Sequence, residues 1–339
     1  VCDWFFPAAT ARGYELPIIQ EIWDVLRAFA SFGFCKAHAA AFALPTYQSA
    51  WLKTHYPAAF LAAVLTHDPG MYPKRLIVDE ARQMGITIAP IDVNASDAVY
   101  RVEDHGNAIR IALSTVSGIS DAEVQSIIAG RPYIDLNDFV RRSGCSTPVT
   151  ESLILTGGFD SLHSDVNRRD LLLHFSDLQK SPSAAVSGAQ MNLGFEPPAL
   201  ISSGLPAMTA SESVKHEIDR LGIDMSRHMI EFYGEFLNAI GAVRSSDLLK
   251  QRSQSSVLVA GIKVAMQTPP VRSGKRVIFL TLDDGYGCSD STFFTDVQSE
   301  YANVLYSTSL LLVRGVTRRT GARGISIRAT GAWDLRAAY

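Results

Sequence analysis

The stretch "STVSGISDAEVQSIIAGRPYIDLNDF", residues 114–139, opens on the pattern apolar-variable-Gly-apolar at Val116-Ser117-Gly118-Ile119 and runs at once into a helix start. Ser120 and Glu123 are spaced as a capping box, in which each side chain accepts the backbone N–H of the other. Gly118 permits a tight turn, and the N–H groups that follow it point outward at a helix N-terminus. Such a nest holds a phosphate oxygen without reading a base. Ser117, Gly118, Ile119 and Ser120 are therefore candidate contacts to a nucleic-acid backbone. A second copy is expected in "TPVTESLILTGGFDSL", residues 147–162, where Thr147 and Pro148 start a helix and Gly157-Gly158 turn after it. The other reading of both stretches is an ordinary helical turn with a glycine C-cap. As two helix-hairpin-helix units they would grip duplex backbone at two points.

From Ser256 onward the pattern becomes all-β. The segments 257–266, 276–284, 288–294, 310–318 and 323–333 read as five strands, and "TDVQSEYANVLYS", residues 295–307, is long enough for a short helix between the third and fourth. That order is the order of an OB-fold, a small five-stranded barrel. Charge supports a polyanion partner. Residues 240–339 hold 13 Lys and Arg against 7 Asp and Glu, although the whole chain carries a net charge of −3. Arg272, Lys275 and Arg276 fall in the loop after the first strand. Arg318 and Arg319, with Arg314 and Arg323, surround the turn before the last. Cations so placed can follow the phosphates of a single strand. Phe279 and Phe293 could stack on bases, but in alternating strands the expectation is core.

The 339 residues, 47% hydrophobic and 19% charged, suffice for two or three domains with sizeable cores. No uninterrupted apolar run is long enough to span a bilayer, so no membrane partner is expected. The four cysteines, Cys2, Cys35, Cys145 and Cys288, lie far apart with no metal-binding or disulfide spacing, which fits a reducing cytoplasm. No nucleophile, metal or cofactor constellation stands out. Residues 13–30 show helical spacing, with Ile18, Ile22, Trp23 and Leu26 on it. In the Ala-rich stretch that follows, Pro45 should kink or restart a helix and Pro57 should begin another. Phe42, Leu44, Tyr47, Trp51, Leu52, Phe60, Leu61 and Leu65 are expected core. "KRLIVDEARQMG" reads as a helix ending at Gly85, and residues 98–104 and 108–116 as strands around His105-Gly106-Asn107. Residues 178–209 have the Ser, Gly, Pro and Ala content of a linker. Thr209 and Glu212 then cap a helix that Gly222 should end.

The order of these parts resembles the C-terminal part of bacterial C-family DNA polymerases, the DNA polymerase III alpha family, and most closely its error-prone branch. The residues that carry the resemblance are Phe32-Gly33-Phe34, then Lys36-Ala37-His38-Ala39, then Tyr47-Gln48-Ser49-Ala50-Trp51-Leu52-Lys53-Thr54-His55-Tyr56-Pro57. "VSGIS", "RPYIDLNDFVRR" and "LILTGGFDSL" look like the family's tandem helix-hairpin-helix, and "LGIDMSRH" like its helix before the OB-fold. The resemblance implies an α+β multi-domain chain: the end of the fingers at 1–69, a helix-hairpin-helix region with a small β-hairpin at 70–177, a linker at 178–209, a helical segment at 210–255 and the OB-fold at 256–339. By position it makes Phe32, Lys36 and His38 the residues nearest an incoming nucleotide. Two departures stand out: Phe32 replaces the usual Tyr and Ala37 the usual Ser, each losing a hydroxyl.

The family's palm aspartates, which hold two Mg²⁺ ions for attack on the α-phosphate, have no counterpart here. No catalytic residue and no resident metal or cofactor is assigned to this chain, and alone it is expected not to polymerise. The parent activity would be DNA-directed synthesis in replication and translesion repair, in the cytoplasm. DNA, duplex and single-stranded, would be the partner, with a sliding clamp or repair accessory proteins as further candidates. The competing reading is a stand-alone, non-catalytic nucleic-acid-binding adaptor.

Overall fold

The computed structural model describes residues 2–30, 36–68, 70, 72–180, 199–269, 276–321 and 324–339. They fall into two compact units, 1–56 and 57–339. The first unit is helical: α1 (Cys2–Ala11), α2 (Leu16–Ala30) and α3 (Lys36–His55). Phe5 and Phe6 pack on Trp23 with ring centroids 5.4 and 5.9 Å apart, and Ile19 is buried.

Two expectations for this unit are corrected. Pro45 does not restart a helix; α3 continues through it. A proline removes one ladder bond and crowds one turn, and here strong helix formers flank it. The Thr46 hydroxyl also donates to the Phe42 carbonyl at 2.7 Å beside the gap. Second, Phe42, Leu44, Tyr47, Trp51 and Leu52 are exposed rather than core.

The second unit begins with α4 (Pro57–His67), started by Pro57 as its composition predicts, and α5 (Lys74–Gln83). Leu61 and Leu65 of α4 are buried as expected. A three-stranded sheet follows, with β1 (Thr87–Ala89), β2 (Arg101–Glu103) and β3 (Ala108–Arg110) in the order β1-β3-β2. The β2–β3 hairpin is the one anticipated. β1, which joins β3 in parallel with Ile88 opposite Ile109, is new.

Four helices come next: α6 (Asp121–Ala129), α7 (Leu136–Ser143), α8 (Thr147–Thr156) and α9 (Arg168–Lys180). Both capping boxes form, Ser120 with Glu123 on α6 and Thr209 with Glu212 on α10 (Ala210–Leu221), which Gly222 terminates in the left-handed region. Tyr133, Phe139 and Phe159 meet edge to face at 4.9 Å in the middle of this module. Leu221, Ile223 and Met225 extend the same core into the segment after α10.

That segment then turns onto a different core. Ile230, in a 3-10 turn, and Leu237, in α11 (Gly234–Ala239), pack with Ala260, Ile262, Leu310 and Leu312 on the outside of the barrel. α12 (Ser245–Leu248) leads into the barrel itself. Its strands are β4 (Ser256–Gln267), β5 (Ile278–Asp283), β6 (Cys288–Phe293), β7 (Leu310–Arg319) and β8 (Ile325–Asp334), with α13 (Thr295–Ser307) between β6 and β7 and α14 (Leu335–Ala338) at the end. The sheet closes in the order β4-β5-β6-β8-β7, its last seam a parallel pair that sets Ser291 against Ile327. Five strands with a helix after the third make this the expected OB-fold. β4 serves two neighbours, pairing β7 along its first half and β5 along its second. Gly261 sits where it changes partner. A Cβ there would stand 2.6 Å from the Asp283 carbonyl, so the approach of the strands requires glycine.

Candidate nucleic-acid interface

The first hairpin is built as its sequence predicts. Val116 is buried and anchors it, Ile119 is half-buried, and Ser117, Gly118 and Ser120 face solvent. Gly118 has φ +81°, a region that costs any residue with a Cβ, and open space lies where a Cβ would stand. The Ser117 N–H donates to the Arg220 carbonyl at 2.8 Å, fastening the hairpin to the end of α10. The first-turn amides of Asp121 and Ala122 have no acceptor within the helix, as at any helix start.

One carboxylate organises two helix starts here. Glu123 accepts from the Ser120 N–H at 2.9 Å, and its other oxygen accepts from the Ser146 N–H at 2.9 Å and hydroxyl at 2.7 Å. Ser146 is the N-cap of α8. Hydrogen bonds from Ser146 and Ser120 hold the Glu123 carboxyl down to about 2. The hairpin's geometry is thus set from outside its own loop.

The second glycine pair serves another purpose. Gly157 and Gly158 are buried, and their N–H groups donate back to Ile154 and Leu153 carbonyls at 3.2 and 2.7 Å, a C-cap of α8. Arg168 covers this turn, donating to the Leu155 carbonyl at 3.0 Å while pairing with Asp160 at 2.6 Å. The C-cap reading applies to them, and Gly118 is the hairpin glycine that faces solvent. Replacing Gly118 by valine is expected to leave the core folded and to weaken duplex binding severalfold, measured by fluorescence anisotropy beside a circular dichroism melt. A folded variant of unchanged affinity would remove this hairpin from the interface.

On the barrel, Phe279 corrects an expectation. It points outward from β5, 46% exposed, whereas Phe293 is fully buried as core. The neighbour of Phe293, Phe294, takes the opposite face and is 40% exposed, with the Arg328 guanidinium 5.6 Å from its ring centre. A groove of about 750 Å³ runs here between the start of α13 and the β7–β8 ribbon, lined by Phe294, Asp296, Arg318, Ser326, Arg328 and Thr330. Farther along β8, Arg314 covers Trp333 at 5.5 Å. Phe294 and Arg328 escaped the sequence reading. The signal for the first was the Phe293-Phe294 doublet, since successive strand residues face opposite sides.

The remaining candidates are placed as follows. Arg318 lines the groove. Arg319 is engaged elsewhere, donating to the carbonyls of Leu249 and, at 3.4 Å, of Gln251. Arg276 is exposed at the foot of its loop, where its carbonyl accepts from Gln298 at 2.7 Å. Arg272, Lys275 and Phe32 lie outside the described residues. Lys36 is the first residue of α3, and His38 is exposed two residues on, its ring 4.5 Å from Phe42.

Comparison with known proteins agrees with the helix-hairpin-helix module. Residues 85–171 match the family described as the helix-hairpin-helix motif. Over 95% of its length the chain is 32% identical to the error-prone DNA polymerase of Symbiobacterium thermophilum, covering 34% of that protein. The error-prone DNA polymerase of Bdellovibrio bacteriovorus is 30% identical over 92% of the chain, which covers 31% of it. The DNA polymerase III subunit alpha of Vibrio cholerae is 29% identical over 92%, with 28% of it covered. A solved structure of the S. cerevisiae mitochondrial single-stranded DNA-binding protein Rim1 overlaps 24% of the chain at 13% identity and a TM-score of 0.21, too slight a likeness to argue from. With almost every residue aligned, the chain is a homologue of the bacterial error-prone DNA polymerases and DNA polymerase III alpha subunits, fits their C-terminal part, and spans about a third of their length.

Proposed function

We propose that this chain is the C-terminal DNA-binding portion of an error-prone DNA polymerase, acting in the cytoplasm in replication past damaged template. The observation that supports the reading is the exposed pairing of Phe294 with Arg328, in a groove that also holds Arg318 and Asp296, on a barrel joined to a helix-hairpin-helix module. A ring and guanidinium on an open barrel face suit a stacked base and its phosphate. A glycine turn at a helix start suits a duplex phosphate. In the no-longer-isolated polymerase, the exposed face of α3 would be covered by further fingers structure, with Phe32, Lys36 and His38 toward the nucleotide. No helix among the described residues is long and apolar enough to cross a membrane. A sliding clamp or other accessory proteins would be partners of the whole enzyme.

The two Mg²⁺ ions of such a polymerase do not fit this chain's paired acids. Asp283 and Asp284 are buried, the first accepting from the Gly285 N–H at 3.0 Å and the second from the Ser245 N–H at 2.7 Å. An open two-metal site needs carboxylates that reach substrate. The test joins two assays on the same purified protein. Duplex and single-stranded oligonucleotides are expected to bind with affinity that falls as salt rises, while primed template, Mg²⁺ and four nucleotides yield no extension. Failure to bind either DNA form would overturn the DNA-holding role. Template-dependent extension, after removal of host polymerases, would overturn the division of labour.

A further inference from the structure

A buried cluster at the seam between the helix-hairpin-helix core and the barrel takes no part in either DNA surface. Asp79 comes from α5, Asp224 and His228 from the segment after α10, and Asp283 from the end of β5. All four are 1–2% exposed. Three carboxylates in so dry a place are costly unless something compensates them.

Each residue except Asp224 has one polar atom held in place. Asp79 Oδ1 accepts from Arg82 at 2.6 Å, Asp283 Oδ1 from the Gly285 N–H at 3.0 Å, and His228 Nδ1 from the Ile230 N–H at 3.2 Å. The opposite atoms, Asp79 Oδ2, Asp283 Oδ2 and His228 Nε2, have no hydrogen-bond partner, and neither does either carboxylate oxygen of Asp224. Those of Asp79, Asp224 and His228 face one another, and that of Asp283 lies beside His228. His228 Nε2 is 3.4 Å from Asp283 Oδ2 and 3.6 Å from Asp79 Oδ2, and ligand atoms of Asp79, Asp224 and His228 all lie within 4.8 Å of each other.

The spacing has room for a shared ion. Charge-assisted hydrogen bonds close to about 2.7–2.9 Å, shorter than these gaps. Ligands about 2.0–2.1 Å from a tetrahedral Zn²⁺ stand about 3.3–3.4 Å apart, the edge of the tetrahedron. Arg82 pairs with Asp79, and Arg75, which donates to the Lys263 carbonyl at 3.2 Å, adds a second positive charge near Asp224 and Asp283. An imidazole among the ligands favours a transition metal over Mg²⁺ or Ca²⁺.

We propose that Asp79, Asp224 and His228 bind one divalent ion of the Zn²⁺ class, which staples α5 to the segment after α10, with Asp283 beside His228. Three protein ligands leave a fourth position for water, and the burial of all three keeps substrate away from it. Ligation through Nε2 puts the ring proton on Nδ1, so the Ile230 N–H contact opens on loading.

The experiment uses the full chain, stripped with chelator and dialysed against Zn²⁺ or, as a spectroscopic probe, Co²⁺. About one equivalent should be retained by elemental analysis, the Co²⁺ form should show the strong visible bands of tetrahedral coordination, and Zn²⁺ should raise the melting temperature. Asp224→Asn should weaken retention by at least about tenfold. Asp224→Leu removes a buried charge without needing metal to fold; it should stay folded in chelator and lose the melting response to Zn²⁺. Wild-type protein that retains neither ion and melts at the same temperature with and without Zn²⁺ would overturn the proposal. So would Asp224→Leu protein that binds as much Zn²⁺ as the wild type.

Discussion

Alanine at both Phe294 and Arg328 is expected to weaken binding of single-stranded oligonucleotides by about tenfold or more, since one base stacked on a ring is worth about 1–3 kcal/mol. The ring and guanidinium already face each other over the groove, so both are lost together and the effects should not simply add. Removing Arg328 should also flatten the salt dependence, because one fewer counterion is released on binding. Neither side chain belongs to the barrel core, where Phe293 and Ile327 are the buried neighbours. The melting temperature should therefore move little. Anisotropy titrations at two salt concentrations, beside a melt of the variant, make the measurement. A folded double variant with wild-type affinity would assign the groove to a partner other than DNA.

Phe139→Ala should cost about 3–5 kcal/mol of stability, the range for emptying a buried aromatic site. Phe139 is fully buried on α7, with Tyr133 on one side and Phe159 on the other, both at 4.9 Å. Removal takes away two edge-to-face contacts and the wedge between α7 and the turn after α8. Denaturant unfolding followed by tryptophan and far-ultraviolet signals would measure it. A cost below about 1 kcal/mol would mean that the neighbouring rings collapse into the space. Duplex affinity of the surviving folded fraction should be close to normal, because the Gly118 hairpin hangs from Val116 and Arg220 rather than from Phe139.

Much of this architecture can be read from the chain without coordinates, and the legible helix ends share one property: their hydrogen bonds close within a few residues. Ser120 with Glu123, Thr209 with Glu212, Pro57 at a helix start and Gly222 at a helix end are local bargains between a side chain and the nearest backbone. The five barrel strands were legible because alternation repeats within each strand, and their order because one helix interrupts them at a characteristic place.

What tertiary structure alone decided is which face of each element meets another. Phe279 and Phe293 carry the same residue type on neighbouring strands, yet only barrel closure makes one surface and the other core. Gly157 and Gly158 resemble a phosphate turn until Arg168 and the Val93 N–H, which bonds the Gly158 carbonyl at 2.9 Å, enclose them. The stripe on α3 has core composition and is exposed. Asp79, Asp224, His228 and Asp283 have no spacing that joins them, because they are brought together by the packing of two cores against one connecting segment. Burial and long-range proximity depend on the partner surface, and a periodicity of a few residues carries no information about that partner.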